Sequence, residues 1–346
     1  SPRPLFELSG EPVERLRAVV LDSFDGDSWT TSAELSRRRE PLPSAVGAGP
    51  HVELVFFEEL GGKLPAPAGT LAVEGARAVL QGGWVVRAEE LRHRTVRLQA
   101  RPDELLPPEE SPGAATRQLP DALRAELLPL TEPLVAGLGA DRERARAVER
   151  FFRENFDYSL TADLQGRGHA LTVLVRERRP AYCVYFAGAM AAMLRSVGIP
   201  SRMVGGFVVG ERNPLDGSAL IRQRDAHAWV EVWLADERRW AAFDPTPMDR
   251  RDAQLGVDRT PGRLGAVVDA AISGLRRSWA ELRRSPGDFF ISLGKSPLLW
   301  ALIAAFGIWQ LRKVRFGRRD AAARAARPAG DPRLAELHRR YCRLLE

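Results

Sequence analysis

The segment from Pro180 to Phe207 constrains the fold more than any other part of the chain. After Cys183, apolar residues recur at helical spacing until Gly198 and Pro200, two residue types that commonly end helices. Proline is excluded from helix interiors but favoured at helix starts, so Pro180 favours a helix start. We therefore predict a helix that begins near Cys183, followed by a buried strand over residues 203–209.

Cys183 lies in the first turn of this predicted helix. There, free backbone N–H groups and the positive end of the helix dipole favour a negatively charged sulfur. A cysteine on a helix that is apolar on nearly all sides is also a common core residue. The position alone leaves two interpretations open, a reactive thiolate and a packing residue.

Two predicted strands downstream carry the side chains that a reactive thiol needs. Residues 225–233 alternate in the manner of a strand and contain His227, and residues 240–247 form a second strand that leads to Asp244. A nucleophilic thiol needs a base, and the base needs a third group to hold its tautomer and orientation. The order Cys183, His227, Asp244 supplies all three and favours catalysis over packing.

Five sequence blocks around these residues resemble the transglutaminase-like core of the papain-related thiol enzymes. The blocks are Tyr182-Cys183, Phe186-Ala187, residues 198–202, residues 225–232 and residues 243–247, in the family's order. The similarity is to the membrane-anchored bacterial branch, the TgpA type. Two positions depart from the family's usual pattern, which has Gly where Ala181 stands and an acidic residue where Val184 stands.

The resemblance implies an α+β fold, a papain-like transglutaminase core in which a catalytic helix packs on an antiparallel sheet. It also implies an N-terminal β-rich domain, a C-terminal transmembrane helix and a catalytic triad of Cys183, His227 and Asp244. We expect the backbone N–H of Cys183 to stabilise the oxyanion. The expected partners are a protein or peptide with a glutamine side chain and an amine acceptor. We expect no cofactor and no metal, because the sequence has neither CxxC pairs nor a cluster of His and carboxylates.

Three functions remain open from the sequence. The first is acyl transfer from glutamine to an amine, the protein-glutamine γ-glutamyltransferase activity that the resemblance implies. The second is hydrolysis of the same Cys183 thioester by a cysteine peptidase or amidase of the cell envelope. The third is a catalytically silent envelope scaffold. Aromatic residues on the catalytic strands are either core residues or the walls of a water-excluding tunnel, which would favour transfer; they are Phe207, Trp229, Trp233, Trp240 and Phe243.

The positive charge of the chain is concentrated at its C-terminal end. The whole chain carries a net charge of +6, whereas residues 312–346 alone carry eleven Lys or Arg and four Asp or Glu. The remainder is therefore close to neutral, which argues against a nucleic-acid partner. Cys183 and Cys342 would lie on opposite sides of the predicted membrane segment, so we expect no disulfide.

The distribution of apolar and charged residues predicts six segments. They are a β-rich extracytoplasmic domain (1–100), a proline-rich linker (101–117), the catalytic core (118–250), a juxtamembrane amphipathic helix (251–288), a transmembrane helix (289–311) and a basic tail (312–346). Because basic residues follow the apolar segment at once, the positive-inside rule places the C-terminus in the cytoplasm. We expect a protein of the bacterial inner membrane with an extracytoplasmic core. Oligomeric state does not follow from the sequence.

Three further expectations concern the surroundings of the site. Asp141 is expected to be the N-cap of a helix that runs to about Asn155. Tyr158 is either a core residue or part of the substrate groove. The polar loop at residues 210–218 is expected near the mouth of the site, where loops often determine specificity.

Overall fold

The computed structural model describes residues 3–47, 49–101, 112–210 and 212–255. The N-terminal half is built of short strands: β1 (Pro4–Gly10), β2 (Arg15–Leu21), β3 (Ser23–Phe24), β4 (Trp29–Thr30), β5 (Arg39–Pro41), β6 (Val52–Phe56), β7 (Lys63–Leu64), β8 (Thr70–Glu74), β9 (Ala78–Gln81), β10 (Val85–Ala88) and β11 (Thr95–Ala100), with one short helix, α1 (Ala33–Arg37). The elements that follow are α2 (Asp121–Val135), α3 (Asp141–Asn155), α4 (Ala170–Glu177), α5 (Cys183–Ser196), β12 (Ser201–Val208), β13 (Ala219–Arg222), β14 (Ala226–Leu234), β15 (Arg239–Phe243) and α6 (Met248–Leu255).

These strands pair in antiparallel sheets. The order in the sheet that carries the site, called here the core sheet, is β15-β14-β12-β2. A second sheet has the order β13-β1-β6-β11-β8, a third has the order β5-β9-β10-β7, and β3 pairs with β4 alone. The mixed α/β architecture with antiparallel sheets confirms the predicted α+β class.

Helix α5 forms the centre of the main hydrophobic core. Every residue from Phe186 to Ser196 is buried, against the core sheet on one side and α2, α3 and α4 on the others. Small residues permit this close approach: a Cβ atom at Gly188 would lie 3.0 Å from the indole nitrogen of Trp29. The chain leaves the helix through Gly198, whose φ of +83° is the left-handed conformation that favours glycine.

The two halves of the chain exchange strands. From the N-terminal half, β2 joins the edge of the core sheet, where Leu16 is the partner of Phe207 on β12. Conversely, β13 belongs to the C-terminal half but pairs with β1, where Ile221 is the register partner of Phe6. Two strand pairs thus connect the predicted β-rich domain with the predicted catalytic core. The bounds of these predicted domains stay a prediction.

A buried ion cluster reinforces the attachment of β2. The carboxylate of Glu231 on β14 binds the guanidinium groups of Arg17 on β2 and Arg202 on β12, the latter at 2.8 Å. The Arg202 guanidinium also lies 4.0 Å from the ring centroid of Trp240. Because a buried charge is costly without partners, loss of one member would leave the others uncompensated.

One predicted helix start differs from the structure and another agrees with it. The N-cap of α3 is Ala140, and Asp141 is instead the first helical residue, where its negative charge still favours the helix N-terminus. Helix α5 begins at Cys183, as predicted, and Pro180 precedes it, because Ala181 lies in extended backbone and pairs with Tyr158. The chain therefore enters the helix abruptly at the cysteine.

Residues 256–346 lie outside the described residues. They include most of the predicted amphipathic helix and all of the predicted transmembrane helix and basic tail. Within the part that the structure describes, no helix combines the length and apolarity needed to cross a bilayer.

Candidate active site

Cys183 is held at the start of α5 with 8% of its surface exposed. The carbonyl of the preceding residue, Tyr182, accepts hydrogen bonds from the N–H groups of Tyr185 at 2.9 Å and Phe186 at 3.3 Å. One residue earlier, the carbonyl of Ala181 accepts the N–H of Ser159 at 2.8 Å. Backbone hydrogen bonds thus fix the chain immediately before the cysteine.

His227 lies near the start of β14, and its side chain is buried. The Nε2 atom is 2.7 Å from Oδ2 of Asp244. The other ring nitrogen, Nδ1, is buried, and the Cys183 thiol interacts with the same ring. The imidazole therefore stands between a carboxylate and a thiol.

Asp244 follows β15 directly and is also buried. Its Oδ1 atom accepts the N–H of Thr246 at 3.1 Å, and its own N–H is donated to Oε1 of Glu149 at 2.7 Å. Antiparallel pairing of β14 with β15 brings this strand end beside His227. Two contacts, from His227 and Thr246, fix the Asp244 carboxylate, and the Glu149 contact fixes its backbone N–H.

The structure brings the three predicted residues Cys183, His227 and Asp244 together, with the His227 ring between the other two. No group of three or more His, Cys, Asp or Glu side chains suited to a metal ion occurs within residues 3–255 as described. The arrangement suits covalent catalysis through sulfur: a nucleophile, a base that can become an acid, and a carboxylate that orients the base. The catalytic roles themselves remain predictions.

The part of the chain that carries these three side chains matches a known protein family. Residues 129–245, which include all three side chains, match the model of the transglutaminase-like superfamily. The chain therefore contains a transglutaminase-like domain. This confirms the family resemblance of the five sequence blocks.

Individual relatives agree with this assignment. The chain is similar to a protein-glutamine γ-glutamyltransferase of Pseudomonas aeruginosa, with 39% identity over 134 residues, 38% of this chain and 20% of that protein. It is also similar to the uncharacterised protein YebA of Bacillus subtilis, with 30% identity over 196 residues, 54% of this chain and 25% of that protein. The matches thus span a fifth to a quarter of the length of these relatives.

A solved structure shares the fold of this chain. The periplasmic domain of TgpA from Pseudomonas aeruginosa, bound to ethylmercury, superposes with a TM-score of 0.57 and 24% identity, covering 71% of this chain and 90% of that domain. At this identity the likeness concerns the fold.

The electrostatics of the domain favour an ion pair at the site. Burial opposes ionisation of Cys183, but the interaction with the His227 ring outweighs it and lowers the pKa of the thiol, with help from the Ala228 N–H and the Arg251 charge. Burial likewise opposes protonation of His227, yet its contacts with Asp244 and Cys183 raise its pKa to about 9. The pKa of Asp244 is lowered, because the His227 contact outweighs burial. Both shifts are toward the charged forms, the Cys183 thiolate and the His227 imidazolium.

Two further residues lie close to these groups: Arg251, which no sequence pattern singled out, and Tyr158, which the sequence left as either a core residue or part of the substrate groove. Arg251 on α6 is buried, donates to the carbonyl of Arg224 at 3.0 Å, and pairs with Asp252 at 3.2 Å. Burial and the Cys183 charge raise the pKa of the half-buried Tyr158, whereas contact with Arg251 lowers it. Arginines are so common in this chain that no sequence signal separates Arg251 from the others.

The five aromatic residues of the catalytic strands have packing roles. Phe207 packs edge-on against Phe6, with ring centroids 5.4 Å apart, and Trp233 packs against Trp240 at 5.7 Å. Phe243 is part of the main core. Trp229 lies beside a site residue, since its ring centroid is 6.5 Å from that of His227 and the two rings are nearly parallel. The core interpretation of these residues is therefore the better one.

Proposed function

We propose that this chain is a thiol acyltransferase that uses Cys183, His227 and Asp244 to transfer the γ-glutamyl group of a glutamine side chain to an amine. The observation that carries this proposal is the hydrogen bond between the buried His227 imidazole and the buried Asp244 carboxylate, with the helix-start thiol of Cys183 near enough to the same ring to interact with its charge. The name of the Pseudomonas relative supports glutamine as the acyl donor.

The chemistry follows from the charges of the three groups. The Cys183 thiolate attacks the carboxamide carbon, and the resulting oxyanion is stabilised by the backbone N–H of Cys183 at the helix start. The His227 imidazolium gives its proton to the departing ammonia, which leaves a thioester. An amine then attacks the thioester, its proton passes to His227, and the Cys183 thiolate leaves. Asp244 holds the ring and balances its positive charge in both steps.

The test is incorporation of a fluorescent primary amine into a glutamine-containing peptide. We expect labelled product with the parent protein and none with Cys183→Ala. Free glutamate as the sole product at saturating concentrations of several amines would replace transfer with hydrolysis. If neither labelled product nor free glutamate forms although Cys183 can be fully alkylated, the silent scaffold is favoured.

We further propose that this catalytic unit lies outside the cytoplasm, anchored by the apolar segment at residues 289–311. The apolar run followed by the basic residues from Arg312 supports this topology, as does the periplasmic location of the TgpA domain of similar fold. A reporter fused after Glu346 is expected to be active in the cytoplasm, while Cys183 is reached by a membrane-impermeant thiol reagent. Labelling of Cys183 only after membrane lysis would contradict the orientation.

A further inference from the structure

Glu149 makes a contact to the site that the three-residue mechanism does not use. Its Oε1 atom accepts the backbone N–H of Asp244 at 2.7 Å. This N–H belongs to the first residue after β15, where sheet pairing no longer fixes the backbone. The hydrogen bond therefore holds Asp244 at the point where its carboxylate must meet His227.

The helix that carries Glu149 is well placed to act as a rigid support. Val148 and Phe152, on either side of Glu149 in α3, are fully buried in the same core as α5. The Glu149 contact therefore links the helix layer of the domain to the end of β15. Neither partner can shift without disturbing this core.

The charges around Glu149 show that two carboxylates share one small region. Burial raises the pKa of Glu149, and the Asp244 charge raises it further, whereas the Asp244 N–H, Arg153 and Arg15 lower it. Arg15, at the start of β2, also lowers the pKa of Asp244, and its guanidinium lies 5.8 Å from the ring centroid of Trp229. An acidic side chain kept this close to another carboxylate needs a compensating contact, and the Asp244 N–H provides one.

We propose that Glu149 is a positioning residue of the active site, which aligns the Asp244 carboxylate with His227 through the Asp244 backbone N–H. This inference rests on the proposed function for its effect on turnover, but its effect on the thiol does not depend on the acyl donor. If Asp244 is misaligned, the His227 imidazolium loses support. The Cys183 thiolate then loses its partner.

The decisive comparison is between Glu149→Ala and Glu149→Gln. Alanine removes the acceptor, whereas the glutamine Oε1 can accept the same N–H without the charge. Glu154→Ala is the matched control, because Glu154 is an exposed carboxylate on the same helix. Two quantities are measured in each variant: turnover, and the pH midpoint of Cys183 alkylation by iodoacetamide. Assays are run below the melting temperature of every variant.

We expect Glu149→Ala to reduce turnover about 10- to 100-fold, the effect of losing a hydrogen bond to a charged group. Its alkylation midpoint is expected to rise toward the ordinary thiol pKa of about 8.5. Glu149→Gln and Glu154→Ala are expected to stay close to the parent in both measurements. If the alanine variant does not fold, Glu149→Asp, which keeps the charge but shortens the side chain, takes its place.

Two results would overturn the inference. One is that Glu149→Ala, which removes the hydrogen-bond acceptor, has the same turnover and the same alkylation midpoint as the parent. The other is Glu149→Gln as impaired as Glu149→Ala, since the hydrogen bond would then not be the relevant contact. Absence of turnover in every protein, the parent included, would count against the proposed function alone. The alkylation midpoints would still decide the role of Glu149.

Discussion

At the scale of single residues, the His227 ring controls the charge of Cys183. The ring is buried, and burial alone would keep both groups neutral. The opposite directions of the two shifts arise because each charge is the partner of the other and because Asp244 adds a negative charge behind the ring. The pair therefore ionises as a unit.

The ion pair predicts a bell-shaped dependence of turnover on pH. As pH falls through the lowered pKa of Cys183, the thiolate is lost, and as pH rises through about 9, the His227 imidazolium is lost. Turnover is expected to decline on both sides, while iodoacetamide alkylation already proceeds at pH values below the ordinary thiol pKa. In His227→Ala the alkylation midpoint should return to about 8.5. A parental midpoint already at that value would contradict the ion pair.

The same shifts predict how stability depends on pH. The raised pKa of His227 stabilises the fold fully below its unfolded value of about 6.5, and this contribution is lost as pH rises through about 9. The lowered pKa of Asp244 contributes above about 4 and is lost as pH falls. Asp244→Asn should therefore destabilise the protein most between about pH 4 and 6.5, as measured by urea unfolding.

The control for this measurement is Asp27→Asn, which changes an exposed carboxylate in the turn between β3 and β4. Its free energy of unfolding should follow that of the parent at every pH. A deficit in Asp244→Asn that does not shrink above pH 9 would show that the charge interaction with His227 is not its source.

At the scale of elements, the strand that carries His227 depends on the close approach of β2 to β12. Gly206 on β12 is the register partner of His227, and a Cβ atom there would lie 2.0 Å from the carbonyl oxygen of Leu16 on β2. It would also lie 3.0 Å from the Trp229 ring. Neither neighbour is the free end of a flexible chain, so the sheet itself would have to move.

Gly206→Ala is accordingly expected to cost about 1–3 kcal/mol of stability, the usual range for overpacking. It should also slow Cys183 alkylation at neutral pH, because His227 moves with its strand. Gly210→Ala is the matched control, since a Cβ atom at Gly210 meets nothing within 4 Å. Equal unfolding midpoints for the two variants would contradict this account of the sheet.

Local sequence signals sufficed for some elements and not for others. Helix α5 and strand β14 were predicted because each has a clear apolar period and end signals around Cys183 and His227. The position of β2 in the core sheet was not predicted, because pairing between residues nearly two hundred positions apart has no local sequence signature. Glu149 was also missed: it is one of several acidic residues on an amphipathic helix, and only the fold selects it. The start of α3 was misplaced by one residue because aspartate favours both the N-cap and the first turn.

At the scale of the whole molecule, the strand exchange makes the site a product of both halves of the described chain. Arg17 and Arg15 come from β2, yet one binds Glu231 in the core sheet and the other influences Asp244. The predicted catalytic core, residues 118–250, contains neither arginine. A sequence comparison that is confined to this segment therefore omits residues that the site requires.

This predicts that a fragment of residues 118–255 does not form the site by itself. Without β2, the edge of β12 is unpaired and the buried Glu231 loses one of its two arginines, a costly change for a buried charge. A chain of residues 3–255 is the control. Compared with it, the short fragment should unfold without cooperativity and should show an alkylation midpoint near that of an ordinary thiol. A short fragment with cooperative unfolding and the control's midpoint would contradict the interdependence of the halves.

The most direct test of the central claim is detection of the acyl-enzyme on Cys183. The protein is incubated with a glutamine-containing peptide without amine, quenched in acid and digested, and the peptide that contains Cys183 is examined by mass spectrometry. We expect this peptide to gain the mass of the donor less one ammonia in the parent, and to show much less adduct in His227→Ala. No adduct in any condition, or product formation by Cys183→Ala at the parental rate, would contradict the thiol mechanism.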